Sequence, residues 1–193
     1  MDNLILKLYK TPKTVFTTKD IALVWGIEDI DNLKSKIAYY VKRGNLTRLR
    51  RGIFIKDKKY NLKELAASIY IPAYVSFETV LREEGVLFQH HKAIFVASYL
   101  SREIKCDNRK IIYRKLKEQV LLNNSGIIVN ENFSIASRER AFMDMIYLFK
   151  SYHFDNLSEI DWDKCFDLSN IYNNVEMKKR LNKYYKYAKQ DTT

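Results

Sequence analysis

The chain has few of the residues on which cofactor and metal sites depend. Only five of its 193 residues are glycine, too few for the backbone loops that cradle phosphates in nucleotide-cofactor sites. Its two cysteines, Cys106 and Cys165, stand 59 positions apart with no second cysteine near either, so neither a zinc motif nor a disulfide framework is indicated. We therefore expect reduced, partly buried thiols, no metal and no cofactor.

Long apolar runs are also missing. No stretch approaches the roughly 20 apolar residues that a membrane-crossing helix needs. The first residues, MDNLILKLYKTPK, lack the long apolar segment and the small-residue cleavage site of a signal peptide. These absences predict a cytoplasmic protein that does not enter a membrane.

Ionisable residues form no catalytic pattern. Glu139 and Asp144 lie five positions apart on one predicted helix, about 140° from each other, which does not suit a shared acid-base site. His90 and His91 are adjacent and, in a strand, would point to opposite faces, so a shared metal is not expected. Without a nucleophile elbow either, the sequence predicts no enzyme.

Positive charge is concentrated in the first third of the chain. Residues 1–60 contain 14 Lys and Arg against 6 Asp and Glu, a net charge of +8, whereas residues 61–193 have a net charge of +3. Such a field attracts polyanions, because Lys and Arg release condensed counterions when they contact phosphate. Nucleic acid is the expected partner, although an acidic protein would also respond. No helix has the exposed bulky apolar residues that binding to a membrane surface needs.

Residues 31–56 predict an amphipathic helix, a Gly-Asn turn and a basic hairpin. Leu33, Ile37, Tyr40 and Val41 recur at the three-to-four-residue spacing of a core-facing helix side. The opposite side and the hairpin supply groups that can donate to phosphates and base edges. The predicted DNA-binding residues are Asn32, Lys34, Ser35, Lys36, Tyr39, Lys42 and Arg43 on the helix and Arg48, Arg50, Arg51 and Gly52 in the hairpin.

A simpler explanation of this stretch stays open. An amphipathic helix beside a hairpin can be an ordinary solvated surface, and Arg48, Arg50 and Arg51 alternate with apolar residues as the wet face of any hairpin does. Tyr39 can stack on a sugar or touch a thymine methyl, but exposed tyrosines are common. Gly52 predicts a tight turn with positive φ or a close approach to phosphate.

The preceding segments predict a short helix, a brief strand and a second helix. Thr17 and Asp20 are expected to form the capping box of that second helix, and Gly26 to end it. Helix, strand, helix, turn, helix and hairpin is the order of a winged helix-turn-helix, in which one helix enters the major groove and the wing contacts the backbone. We therefore expect a DNA-binding domain over residues 1–58.

Residues 59–193 predict a second, α+β domain in which helices come before and after a small, mostly antiparallel sheet. The predicted strands are 93–97, 110–114, 126–130 and 133–135. Ser76 is expected to cap a helix over 77–84. Ser137 is expected to cap a strongly apolar helix over 138–150, which belongs in the centre of the domain.

Three short segments carry a resemblance to one family. They are LRRGIF at 49–54, YVSFETVL at 74–81 followed by Gly85 and Val86, and the helix with Ser137, Glu139, Ala141 and Asp144. The first is similar to the L-x-R-G-I/V-Y wing of the AbiEi-type antitoxins of bacterial abortive-infection and type IV toxin-antitoxin operons, with Phe54 where Tyr is commoner. The others resemble the family's Y-V-S-x-x-S/T-A-L…G-L element and S-x-E-x-A-x-x-D helix.

The resemblance covers about the first 150 residues and implies a two-part antitoxin. The winged helix would bind inverted repeats of double-stranded DNA in its own promoter and repress the operon, with Arg50, Arg51 and Gly52 facing the DNA. The second domain would counteract a nucleotidyltransferase-like toxin without a stable complex. The protein would be a monomer in solution or pair on DNA.

The last forty residues lie outside the resemblance. Their helix carries a second basic cluster, formed by Lys178, Lys179, Arg180, Lys183, Tyr184, Tyr185, Lys186 and Lys189. A solvated surface, a nucleic-acid contact and a toxin contact all stay open for it. For the whole chain, the alternatives are a DNA-binding regulator or nucleic-acid-processing accessory protein without antitoxin activity, and an interaction module for an acidic protein.

Overall fold

The computed structural model describes residues 4–89 and 92–190, which form an α+β fold with two sheets. The helices are α1 (Leu4–Tyr9), α2 (Thr18–Trp25), α3 (Ile30–Lys42), α4 (Leu62–Ile69), α5 (Glu78–Glu83), α6 (Glu118–Leu121), α7 (Arg138–Leu148), α8 (Trp162–Tyr172) and α9 (Val175–Gln190). The strands are β1 (Val15–Thr17), β2 (Thr47–Arg50), β3 (Ile53–Ile55), β4 (Ala73–Val75), β5 (Ile94–Ser98), β6 (Arg102–Cys106), β7 (Arg109–Lys115), β8 (Ile127–Val129) and β9 (Ser134–Ala136). His90 and His91, whose arrangement was predicted above, lie outside the described residues.

Side-chain caps define the helices of the N-terminal part. The Thr17 hydroxyl accepts from the Asp20 backbone N–H at 3.1 Å, and the Asp20 carboxylate accepts from the Thr17 backbone N–H at 2.7 Å. Gly26 ends α2 in the left-handed conformation at φ 67°. The predicted capping box and helix end are therefore confirmed. Asp29 caps α3 by accepting from the Asn32 N–H at 2.7 Å.

The first sheet is antiparallel, in the order β1-β3-β2. Phe16 pairs with Phe54 across it, and both side chains are buried. Leu8, Ile21 and Ile37 pack in the same hydrophobic cluster, each from a different one of the first three helices. The three helices therefore share one small core with one face of this sheet.

The second sheet has six strands, in the order β6-β7-β5-β4-β9-β8, and is mixed. Three strand pairs are antiparallel, in keeping with the predicted mostly antiparallel sheet, but of these only β8–β9 joins two predicted strands. The pairs β5–β7 and β4–β9 are parallel. The sequence prediction missed β4 and β6. Because β6 lies at the edge and returns in a hairpin to β7, β7 enters the sheet parallel to β5.

The centre of the second part is α7, whose first nine residues are all at least half-buried. Ser137 caps it by accepting from the Arg140 backbone N–H at 3.1 Å, as predicted. The predicted Ser76 cap of α5 is wrong. Phe77, at φ 56°, is the residue that precedes this helix and makes no side-chain cap, while the Ser76 hydroxyl donates to Asp144 at 2.8 Å.

Buried contacts cross the predicted boundary at residues 58 and 59, which itself stays a prediction. Val15 and Ile53 from the first sheet share a hydrophobic cluster with Leu65 and Tyr113 from the second part. The buried Glu64 carboxylate also accepts hydrogen bonds from backbone N–H groups of β1 and the residue before it. The two parts are thus packed together. Within the described ranges, no helix is both long enough and apolar enough to cross a membrane.

Candidate nucleic-acid interface

The outer face of α3 presents most of the polar residues predicted for it. Asn32, Lys34, Ser35, Tyr39, Lys42 and Arg43 are exposed, and Lys36 is half-buried. On the opposite side, Leu33 and Ile37 keep only 3% and 2% of their surface exposed. Since this buried stripe fixes the rotation of the helix about its axis, the polar face has a defined direction toward solvent.

Tyr39 and Arg43 form a pair near the C-terminal end of α3. Arg43 Nη1 donates to the Tyr39 hydroxyl at 2.6 Å, and the guanidinium carbon lies 5.1 Å from the centre of the tyrosine ring. Residues four apart are neighbours on a helix surface, so the contact is local. It holds an aromatic ring and a cation side by side on the exposed face.

A basic groove of about 380 Å³ lies between α3, the start of α2 and the β2–β3 hairpin. Its lining includes Lys34 of α3 and the hairpin residues Arg48 and Arg51. Among the described residues that line it, none is acidic. Thr18 and Phe54 also line the groove, and the sequence prediction included neither. Three basic residues from two elements thus line one concavity, whose exposed wall is mainly apolar.

Gly52 joins the hairpin to α2. It adopts φ +77°, which confirms the predicted positive φ, and its carbonyl accepts from the Thr18 backbone N–H at 3.0 Å. A Cβ at this position would lie 3.6 Å from the Thr18 hydroxyl, which is an ordinary contact. The conformation and not the space therefore favours glycine.

A β-bulge divides the arginines of the hairpin. The register shifts between Arg48 and Arg50, so that Arg48 pairs with Phe54 and Arg50 with Ile53. Ile53 and Phe54 are consecutive in β3, so their side chains point to opposite faces of the sheet. Each arginine lies on the same face as its partner, and Arg48 and Arg50 therefore also point to opposite faces. The guanidinium carbon of Arg48 lies 5.4 Å from the ring centre of Phe54, on the face that packs against the helices.

Arg50 lies on the other face, toward the second part. Burial raises the pKa of Cys106 and of Tyr113, and the charge of Arg50 opposes both rises. Arg50 is half-buried and does not line the basic groove. The simpler explanation left open above, that the three arginines are the wet face of an ordinary hairpin, therefore does not hold for Arg50, because the bulge breaks the alternation.

Few ion pairs offset the exposed charge of α3. Lys34 Nζ lies 3.2 Å from Asp31 Oδ1, with 66% and 91% of the two side chains exposed. An exposed pair of this kind contributes little, about 0–1 kcal/mol. Lys34 can therefore exchange Asp31 for a phosphate at small cost.

The second part contains a buried ionic cluster. Arg140 Nε donates to Asp144 Oδ1 at 3.3 Å, and both side chains are fully buried. Asp144 also accepts from the hydroxyls of Tyr74 and Tyr172 at 2.9 and 2.7 Å. Burial alone would lower the pKa of Arg140, but the Asp144 carboxylate raises it above its usual value, so the guanidinium stays charged. The cluster is closed to solvent and connects α7 to its neighbours.

The other side chains that could take part in catalysis or metal binding are also hydrogen-bonded or buried. Glu139 accepts from Arg138 Nε at 3.1 Å. Both cysteines are free, buried thiols, and burial raises the pKa of each. In the part of the chain that the structure describes, no three His, Cys, Asp or Glu residues are grouped to hold a metal ion.

No protein-family model matches the chain, and no curated protein sequence is significantly similar to it. The likeness to AbiEi-type antitoxins therefore depends on the three segments described above.

Proposed function

We propose that residues 1–58 are a winged helix-turn-helix that binds double-stranded DNA. In this proposal α3 enters the major groove and the β2–β3 hairpin is the wing. The observation that carries it is the basic groove, which Lys34, Arg48 and Arg51 line together and which has no carboxylate among its described lining residues. The net charge of +8 over residues 1–60 adds the long-range attraction that brings polyanions to this surface.

The proposed contacts divide between bases and phosphates. Asn32, Ser35 and Tyr39 on the exposed face of α3 have the amide and hydroxyl groups that read base edges. Arg48 and Arg51 have guanidinium groups suited to phosphate. Arg48 is already held against Phe54 by a cation–π contact, which lowers the entropy lost when it binds.

We further propose that the protein is the antitoxin of a bacterial type IV toxin-antitoxin system. It would act in the cytoplasm as the repressor of its own operon, on inverted repeats that two monomers fill together. Its second part would counteract a nucleotidyltransferase-like toxin without a stable complex and without catalysis. The three segments that resemble AbiEi-type antitoxins support this part of the proposal, and two of them, 74–81 and 137–144, lie in the second part.

The DNA proposal is tested by fluorescence anisotropy on labelled DNA from upstream of the gene, with scrambled DNA of equal length as competitor. We expect preference for the upstream DNA and a steep loss of affinity with salt. Replacing Lys34, Arg48 and Arg51 by Ala should flatten the plot of log affinity against log salt by about 0.9 for each phosphate that these side chains neutralise.

The matched control removes the same charge elsewhere. Lys92, Lys105 and Lys117 are exposed lysines of the second part, and their replacement by Ala should leave the slope nearly unchanged. Absence of sequence preference, or equal flattening by both triple variants, would contradict the proposal.

The antitoxin proposal requires a nucleotidyltransferase-like gene next to this one, and it is tested by coexpression with that gene. Growth should recover when the chain is present, and also with the Lys34, Arg48 and Arg51 triple variant, since neutralisation is assigned to the second part. Growth arrest despite full expression of both proteins would remove the antitoxin function and leave a DNA-binding regulator.

A further inference from the structure

A second basic pocket lies between the segment that follows α7 and one side of α9. Its volume of about 320 Å³ is at the lower end of the range of small-molecule pockets, about 300–1,000 Å³. Lys150, Arg180 and Lys183 supply its positive charge, and Tyr152, Tyr184 and Tyr187 supply its aromatic surface. None of these six residues lines the basic groove beside α3, so the pocket is a separate feature.

The aromatic side of the pocket is preformed. The Tyr184 hydroxyl donates to the Tyr152 carbonyl at 2.7 Å and accepts from the Tyr152 backbone N–H at 3.1 Å. The Tyr184 ring centre also lies 5.2 Å from that of Phe154, with the rings nearly perpendicular. These contacts attach the segment after α7 to α9, so a ligand would not have to order this wall.

The charge of the pocket is of one sign. Lys150 and Lys183 are exposed, and within the described lining no carboxylate neutralises them. Arg180 Nη1 donates to the Phe149 carbonyl at 3.0 Å and Nε to the Glu176 carbonyl at 3.3 Å, which fixes the guanidinium at the pocket wall. A guanidinium has five N–H donors, so this one retains capacity for an acceptor.

Tyr187 gives the pocket a flat apolar surface that reaches solvent. Tyr187 is 53% exposed and lies one turn after Lys183 on the same side of α9. Inorganic phosphate would use the cations but not this ring. A ligand that carries both a phosphate and a planar base would use both, because bases stack on aromatic side chains whatever their sequence.

We propose that this pocket binds a nucleoside phosphate, with the base on the ring of Tyr187 and the phosphate between Lys150 and Lys183. The ligand is either a free nucleotide or the terminal nucleotide of a nucleic-acid strand, since both offer the same two groups. The proposal is independent of DNA binding at α3, because it uses neither the residues nor the charge of that surface.

The test is isothermal titration calorimetry on the full chain with AMP, adenosine, inorganic phosphate and a 5′-phosphorylated trinucleotide as separate ligands. We expect AMP to bind about tenfold or more tightly than adenosine or phosphate. A trinucleotide that binds at least as tightly as AMP, and whose binding Tyr187→Ala weakens, identifies the strand terminus as the ligand, because Tyr187 does not line the groove beside α3. Weaker binding of the trinucleotide identifies the free nucleotide.

Variants connect the binding to this pocket. Lys183→Ala and Tyr187→Ala should each weaken AMP binding about fivefold or more, whereas Tyr187→Phe, which keeps the ring, should restore it. Lys178→Ala is the matched control, because Lys178 is exposed on the same helix but does not line the pocket. The replaced side chains are exposed, and equal thermal unfolding of all four variants would show that they fold alike.

Three results would overturn the proposal. One is the absence of AMP binding at millimolar concentration. Another is phosphate binding as tight as AMP binding, which would leave the ring without a role. The last is equal weakening of AMP binding by Lys183→Ala and Lys178→Ala, which would mean that only the net charge of the protein matters.

Discussion

The two parts of the molecule treat charged side chains in opposite ways. In the N-terminal part, Lys34 and its partner Asp31 keep 66% and 91% of their side chains exposed. In the second part, Arg140 and Asp144 are fully buried and hydrogen-bonded to several groups. An exposed pair contributes about 0–1 kcal/mol, whereas breaking a buried pair costs about 3–5 kcal/mol.

Because of this difference, the exposed charges serve binding and the buried charges serve the fold. The exposed cations of α3 and the hairpin contribute little to stability, so they are available to bind a polyanion. The buried pair has no access to a ligand and instead connects α7 to the rest of its core. Segments that resemble the antitoxin family thus include both kinds: Arg51 lies at the surface and Asp144 in the core.

The largest expected effect is that of Asp144→Ala. The substitution leaves the Arg140 charge buried without its partner, and we expect the free energy of unfolding to fall by about 3–5 kcal/mol. Urea denaturation measures it. The matched control, Asp31→Ala, removes a carboxylate from an exposed pair and should change the free energy by less than about 1 kcal/mol. Equal losses of free energy of unfolding in the two variants would contradict the difference drawn between buried and exposed ion pairs.

Glu64→Ala tests whether a buried charge at the junction behaves like the one in the core. Its carboxylate accepts from the backbone N–H groups of Thr14 and Val15 at 3.1–3.2 Å. Removing these acceptors should cost about 2–3 kcal/mol in urea denaturation, because charged hydrogen bonds disappear and buried donors are left unpaired. Glu83→Ala, at an exposed carboxylate, is the control and should cost far less. If Glu64→Ala destabilises the protein no more than Glu83→Ala does, the buried Glu64 carboxylate does not stabilise the junction between the two parts.

Asp20→Ala gives the smallest effect and adds a dependence on pH. Burial opposes the shift, but hydrogen bonds from Lys13 and Thr17 hold the pKa of Asp20 below its ordinary value. The ionised carboxylate therefore stabilises the fold above the ordinary pKa of about 3.9, and this stability is lost as pH falls through the lower folded pKa. We expect a loss of about 1 kcal/mol at pH 7.

The difference in free energy of unfolding between wild type and Asp20→Ala should thus become smaller in strongly acidic solution. Urea denaturation at neutral pH and below about pH 3 measures both differences. A difference that stays constant or grows on acidification would rule out the ionised capping box as its source.

Local interactions made part of the fold predictable. Thr17 and Asp20 are three positions apart, and Gly26 and Gly52 act through their own backbone conformation, so each could be recognised without knowledge of distant residues. The same holds for the buried stripe of α3, which depends only on helical spacing.

Distant interactions account for what could not be predicted. Ser76 has the residue type of a helix cap, but its hydroxyl donates to Asp144, which is 68 positions away. The strand β6 has the sequence REIKC, which has little apolar character because it lies at a sheet edge. The separation of Arg48 from Arg50 follows from a bulge that only the pairing with β3 defines.

The central claim, that the groove beside α3 binds DNA, is tested most directly by two neighbouring arginines. Arg51 lines the groove, whereas Arg50 faces the second part and does not. The measurement is the salt dependence of binding to upstream DNA for Arg51→Ala and Arg50→Ala. We predict that Arg51→Ala flattens the plot of log affinity against log salt by about 0.9 and that Arg50→Ala leaves its slope near that of the wild type. An unchanged slope for Arg51→Ala, or an equal change for both variants, would contradict the claim.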